Sequence, residues 1–225
     1  MAIHVPAFIV IGGGDIGASY VRQLLRAREA GRLLTERIVV VDRHRGCAAA
    51  AFGPQIELEI ADWSDWLDRR LRDFGADDHL VPYHWAPHLL RDWLARQLRR
   101  RGAEVSAGAP LPTRGLPFES PTHDGSRALS YASWVCPPTC IEPALCPHTR
   151  GPKDWSLAGD FAAEPRAIVF RCLHLVHGVG TIPIRDIHAS VETVVAGPPA
   201  GDRTWHVVTA SHCHGLASAL TVRVS

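Results

Sequence analysis

The sequence predicts an α/β protein with a mostly parallel sheet and helices on both faces, an irregular Cys/Pro-rich insertion and a β-rich C-terminal part. Three observations carry this expectation. The first hundred or so residues alternate short apolar runs with stretches of helical period. Ten of the 17 prolines then fall between Ser106 and Pro165, where helical periodicity disappears. From about Pro165 onward the apolar alternation typical of strands returns.

The first apolar run, AFIVI over residues 7–11, has the length and branching of a buried parallel strand, and GGGDIG follows it at once. The next stretch, ASYVRQLLRAREAG, places Tyr20 or Val21, Leu24 and Leu25 on one helical face with arginines opposite. A second strand, RIVVVD, ends in Asp42. Gly12, Gly14 and Gly17 thereby occupy the three glycine positions of G-x-G-x-x-G, which serve a tight turn, close approach to a pyrophosphate and close helix–strand packing. Free N–H groups at the helix N-terminus suit phosphate.

On these residues the chain, over roughly residues 5–105, resembles the Rossmann-type NAD(P)-binding superfamily. The resemblance implies a nucleotide cofactor held by Gly12, Gly13, Gly14, Asp15, Ile16 and Gly17. It also implies that Asp42 binds the adenosine ribose hydroxyls, which favours NAD, while Arg43 and Arg45 suit the 2′-phosphate of NADP. Asp42 stands 25 residues after Gly17, beyond the usual spacing. A flavin or S-adenosylmethionine site shares the same turn and acid, so the identity of the nucleotide stays open.

The pattern continues with a strand in PQIELEI and a helix in DWSDWLDRRLRDFG, where Asp62 is the expected N-cap and Gly75 the stop. HLVPY reads as the next strand, and PHLLRDWLARQLRRRG as a helix opening at Pro87. His84 and His88, four apart between them, have the spacing of a zinc pair on a helix, which Pro87 opposes. Near the C-terminus, IRDIHASVETVVAG has helical period between two strand-like runs, AIVFRCLHLVHG and TWHVVTASHCHGLASALTVRV. The expected divisions are 1–105 for the nucleotide-binding unit, 106–165 for the insertion or lid, and 166–225 for strands completing the same domain.

Within the insertion, C-P-P-T-C-I-E-P-A-L-C-P-H-T brings Cys136, Cys140 and Cys146 into one short loop whose prolines reduce the entropy lost on ordering. The six cysteines follow an N-terminus without a basic leader or cleavage site, so a cytoplasmic chain with free thiols is expected. Metal binding is then the leading account of the cluster, as zinc or an Fe–S cluster with Cys213, Cys172 or His148 as fourth ligand. Redox-active or nucleophilic thiols are the alternative, with His148 or Lys153 lowering a thiol pKa. Lys153 is the only lysine among 24 basic residues, and a lysine can lose its proton where arginine cannot.

The functional expectation is an NAD(P)-binding oxidoreductase, with a Cys-ligated metal or Fe–S site near the nucleotide, His148 and Lys153 as acid/base residues and a small-molecule substrate. Alternatives are a non-catalytic nucleotide-binding redox or metal sensor and an S-adenosylmethionine-dependent methyltransferase. A formal charge of +1, with both signs well mixed, argues against nucleic acid and anionic membrane as partners. A homo-oligomer is compatible with the sequence.

Overall fold

A computed structural model describes residues 2–83, 86, 88–137, 139–197 and 201–223. In chain order the elements are β1 (Ile3–His4), β2 (Ala7–Ile11), α1 (Asp15–Glu29), β3 (Leu33–Leu34), β4 (Arg37–Asp42), β5 (Glu57–Ile60), α2 (Trp63–Arg70), β6 (His79–Val81), α3 (Leu89–Arg100) and β7 (Glu104–Ala107). There follow β8 (Phe118–Pro121), β9 (Arg127–Ser130), α4 (Leu157–Ala162), β10 (Ala167–Arg171), β11 (Leu173–Val176), β12 (Val179–Pro183), α5 (Ile184–Val195), β13 (Arg203–Ala210) and β14 (His214–Arg223). The chain divides into two units, Met1–Ala86 with Pro138–Ile141 and Leu173–Asp186, and Pro87–Pro137 with Glu142–Cys172 and Ile187–Ser225. Among the described residues no helix is long and apolar enough to cross a membrane.

The first unit is built on a sheet of order β11-β12-β6-β2-β4-β5. β2 pairs in parallel with β4 and β6, and β4 in parallel with β5. Every residue of β2 is buried, as a strand covered on both faces requires. Val21, Leu24 and Leu25 of α1 pack with Phe8, Val10, Ile38 and Val40 in one apolar cluster. Asp62 caps α2, its carboxylate accepting from the Ser64 and Asp65 N–H groups, and Trp66 and Leu67 turn inward. A short 3-10 turn over residues 71–73 follows, and another 3-10 segment at residues 48–55 replaces the beginning of the strand expected from Pro54.

The second unit is organised around β14, the longest strand. β13 runs antiparallel along one edge of it, while β9 and β7 share the other, pairing with residues 214–217 and 220–223. β10 joins β13 in parallel and β8 joins β9 antiparallel. Leu157 and Phe161 of α4 complete a core with Leu129, Val208 and Ala217.

This corrects the expected fold class. The chain does not form one Rossmann-like parallel sheet with helices on both faces, completed by the C-terminal strands; among the described residues there are two six-stranded mixed sheets and a two-stranded β1–β3 sheet, and the C-terminal part is β-rich. Loop length is the physical reason, because parallel neighbours need a crossover of about a dozen residues or more. Only His177 and Gly178 separate β11 from β12, both at positive φ (44° and 76°), so the two strands fold back as an antiparallel hairpin. Only Ser211–Cys213 separates β13 from β14. The segment expected to be irregular also contains the β8–β9 hairpin, closed by the Thr122 N–H donating to the Ser126 carbonyl at 2.8 Å, with Gly125 at φ 79°.

β12 lies against β6, and there a polar pair is enclosed. His79 and Thr181 are both buried, and the His79 Nδ1 lies 2.8 Å from the Thr181 Oγ1, which itself donates to the Leu173 carbonyl at 3.3 Å. With its hydroxyl proton directed to Leu173, Thr181 accepts from the imidazole N–H. The His79 pKa is lowered from 6.5 to about 4, chiefly by burial and in smaller part by the charge of Arg185, with Asp77 and Asp78 opposing. The folded state therefore binds a proton less readily than the unfolded chain. The stability this neutral histidine contributes is present above pH 6.5 and is lost as pH falls toward about 4. Urea unfolding across that window is expected to show a falling midpoint, and His79→Gln to flatten the fall.

Candidate functional site

Two groups of residues are singled out by the sequence, the glycine turn and the cysteine segment. The glycine turn lies in the first unit, between β2 and α1. The Gly13 N–H donates to the Asp42 Oδ2 at 2.7 Å and the His44 N–H to the Oδ1 at 2.8 Å, so a carboxylate at the end of β4 clamps the turn at the end of β2. Asp42 is 7% exposed, and each of its oxygens has one backbone donor. The Gly13 carbonyl accepts from the Ala49 N–H at 2.8 Å.

The glycines differ in what surrounds them. A Cβ on Gly17 would stand 1.7 Å from the Gly12 carbonyl oxygen, and one on Gly13 2.5 Å from the Cys47 Sγ. Gly12 has φ 86° and faces the rings of Tyr83 and Trp63, themselves 4.9 Å apart. Gly14 faces open space, with nothing within 4 Å of its Cβ direction. It is the N-cap of α1, and no side chain caps that helix. Asp15 is exposed in the first turn and Ile16 is half-buried. Arg43 leans on the Trp63 ring, 5.7 Å from its centroid, and pairs with Asp62 at 3.3 Å.

The cysteine segment gives separate environments, not one cluster. Cys140 belongs to the first unit, where its carbonyl lies 2.9 Å from the His174 Nδ1. In the second unit, the Cys136 Sγ lies 3.2 Å from the His214 Nε2, and the His214 Nδ1 lies 2.9 Å from the Ser130 Oγ. Cys146 is buried in the turn of C-P-H-T. The Thr149 N–H, then that of His148 and the Thr149 hydroxyl, hold its thiol pKa below the ordinary value, with Lys153 adding to the effect and burial opposing it. Cys213 is buried and accepts from the Trp155 Nε1 at 3.4 Å. Among the described residues no three His, Cys, Asp or Glu side chains converge on a metal position. His84 lies outside the described residues; His88 stands at the N-cap of α3.

The two expected acid/base residues are placed differently from one another. His148 is exposed and stacks on Trp134, the ring centroids 4.5 Å apart and the planes 8° from parallel. Among the described residues the enclosed Lys153 Nζ has no hydrogen-bond partner, nor has the His212 Nε2. Burial lowers the His212 pKa, with Lys153 and Arg171 contributing and Glu142 opposing; the Glu142 carboxylate accepts the His212 backbone N–H at 2.9 Å. Ser130 is the partner that sequence reasoning missed, whereas SHCHG already offered His212 and His214, or Cys213, to complete the site begun at Cys136. The alternation in SHCHG does place His212 and His214 on one strand face, but Ser130 joins them only through strand pairing.

Desolvation pushes the Cys172 thiol up to about 12, and the charge of Glu142 pushes in the same direction. At about pH 8 it is a neutral thiol and a poor nucleophile. Iodoacetamide is therefore expected to leave Cys172 unlabelled in the folded protein and to label it in urea, as read by peptide mass mapping.

A comparison with curated proteins finds no match. A family model described as AF_1314_C, uncharacterized protein, C-terminal domain, matches residues 89–223, from the first residue of α3 to the last of β14. That span covers more than half of the sequence, and the chain belongs to the AF_1314_C family.

Proposed function

We propose that the first unit binds a nucleotide of the NAD(P) class, with its phosphates at the glycine turn. The observation that carries this reading is the contrast among the glycines: Gly12, Gly13 and Gly17 are each packed against protein, while Gly14 is open at the uncapped N-terminus of a 15-residue helix. Backbone N–H groups and the helix dipole favour an anion there. The Asp42 carboxylate retains lone pairs beyond the two used by Gly13 and His44, and these suit ribose hydroxyls. The oxidoreductase expectation rests on the nucleotide, since among the described residues no three metal-ligating side chains converge to support it.

A Cβ at Gly14 meets no protein atom, and φ −64° with ψ −169° is open to any residue. Gly14→Ala is therefore expected to keep the fold while raising the Kd for NADH at least about tenfold, or about 1.4 kcal/mol. Gly17→Ala, whose Cβ has no room, is expected to destabilise by up to about 3 kcal/mol. Asp15→Asn separates anion binding from helix stability: it removes a negative charge from the same pole, so NADH binding tightens while the helix loses about 0.3–1 kcal/mol. Titration calorimetry with NADH, NADPH and S-adenosylmethionine, alongside urea unfolding, reads all three variants. Absence of binding by all three ligands, or equal NADH affinity in wild type and Gly14→Ala, overturns the proposal.

A further inference from the structure

The second unit carries a thiol–imidazole pair whose proton positions follow from its hydrogen bonds. The Ser130 Oγ stands 2.7 Å from the Ala132 carbonyl oxygen and 2.8 Å from the Ala132 nitrogen. A carbonyl accepts only, so the Ser130 hydroxyl proton lies on the line to it, leaving the oxygen to accept from the Ala132 N–H. The same oxygen, 2.9 Å from the His214 Nδ1, then acts as an acceptor there too. A neutral His214 accordingly carries its proton on Nδ1 and turns the Nε2 lone pair toward the Cys136 Sγ, 3.2 Å away. A base within reach of a nucleophile, its tautomer set by a third group, is the arrangement that activates cysteine for covalent catalysis.

Strand pairing holds this arrangement in place. Ser130 is the register partner of His214 on one side and of Phe118 on the other, and directly opposed residues share a sheet face. The turn before His214 is pinned by the Ser211 Oγ, which accepts from the Cys213 and His214 N–H groups at 3.4 Å each. Cys136 is half-buried, where Cys146 and Cys213 are buried. Two apolar side chains of this region are exposed: Val135, the residue before Cys136, is 95% exposed, and Phe118, the register partner of Ser130, 49%.

We propose that Cys136 is a nucleophilic thiol that accepts an activated acyl group of apolar character from an ester or thioester, with His214 as its base and acid and Ser130 as a positioning residue. The Cys136 S–H proton passes to the His214 Nε2 as the sulfur forms a bond to the carbonyl carbon, whose oxygen becomes an alkoxide. The carbonyl then re-forms, the bond to the leaving oxygen or sulfur breaks, and His214 returns the proton to that leaving group. In hydrolysis, water gives its proton to His214 while its oxygen bonds the acyl carbon, and the Cys136 sulfur leaves with the proton held by His214. Nothing is oxidised or reduced. The imidazole is needed in both directions, which suits acyl transfer to poor leaving groups better than thiol–disulfide exchange, where the leaving thiolate needs no acid.

The test uses the full chain with p-nitrophenyl acetate and p-nitrophenyl hexanoate. A burst of about one equivalent of p-nitrophenolate per chain is expected, faster with the hexanoyl ester, with the acyl group mapped to Cys136 by peptide mass and absent in Cys136→Ala. His214→Gln should slow acylation at least about 100-fold. Ser130→Ala should slow it less, and Ser130→Thr, which keeps the hydroxyl, should restore it. Should a variant fail to fold, the wild-type chain still decides: iodoacetamide must label Cys136 ahead of the other half-buried cysteines. Acyl groups spread evenly over the cysteines, a folded His214→Gln chain acylated at the wild-type rate, or a Cys136 no faster than Cys140 toward iodoacetamide overturns the proposal.

Discussion

The first unit depends on one charged clamp, the Asp42 carboxylate holding the backbone N–H groups of Gly13 and His44. Both hydrogen bonds are charge-assisted, a class worth about 1.5–3 kcal/mol each, and they tie the end of β4 to the turn that ends β2. With that turn fixed, α1 leaves the sheet at a point where Gly17 lies directly on the Gly12 carbonyl. Any Cβ at position 17 would push the helix off the strand. The helix then brings Val21, Leu24 and Leu25 down on the buried faces of β2 and β4, so a polar interaction at the strand ends sets the register of an apolar core. The open direction at Gly14 is what remains after the neighbouring glycines have been packed.

In the second unit the corresponding constraint is the length of β14. Its ten residues leave room for β9 and β7 to occupy successive halves of one edge, while β13 covers the other. A shift of one residue would move every side chain to the opposite face. It would turn Ala217, which packs with Leu129 and Val208, out of the core. The register that satisfies the core is therefore the register that sets His214 opposite Ser130. The chemistry of that pair follows from a packing requirement. The hairpin that supplies Ser130 is itself pinned by Asp124. Burial would raise its pKa, yet hydrogen bonds from the Thr122 hydroxyl, the Ser126 N–H, Arg91 and the Ser126 hydroxyl hold it well below the ordinary carboxylate range.

Elements defined by local pattern were legible in the sequence. AFIVI and RIVVVD form strands at the expected positions, Asp62 caps its helix, and IRDIHASVETVV is helical. What was not legible depends on partners far along the chain. Dense prolines concealed the β8–β9 hairpin, although Asp124-Gly125 between two short apolar runs is a turn signal that could have revealed it. The single-sheet expectation gave too little weight to His177-Gly178 and Ser211–Cys213, connections too short for parallel crossovers. Spacing alone suggested that the loop cysteines meet. The structure turns Cys146 into its own N–H-lined bend and directs Cys136 to a strand residue 78 positions away.

These cysteines show why residue type alone does not specify chemistry. Reactivity of a thiol needs two conditions together, a stabilised thiolate or nearby base and access for an electrophile. Cys172 lacks the first, because desolvation and Glu142 both favour the neutral thiol. Cys146 has donors that favour the thiolate but is buried. Cys213 is buried and engaged by an indole N–H. Cys136 combines partial exposure with an imidazole lone pair directed at its sulfur, a direction fixed by the Ser130 hydroxyl and ultimately by the Ala132 carbonyl. A backbone carbonyl cannot donate, so with a neutral imidazole the protons along Ala132, Ser130 and His214 fall in one order. In that order the base faces the thiol.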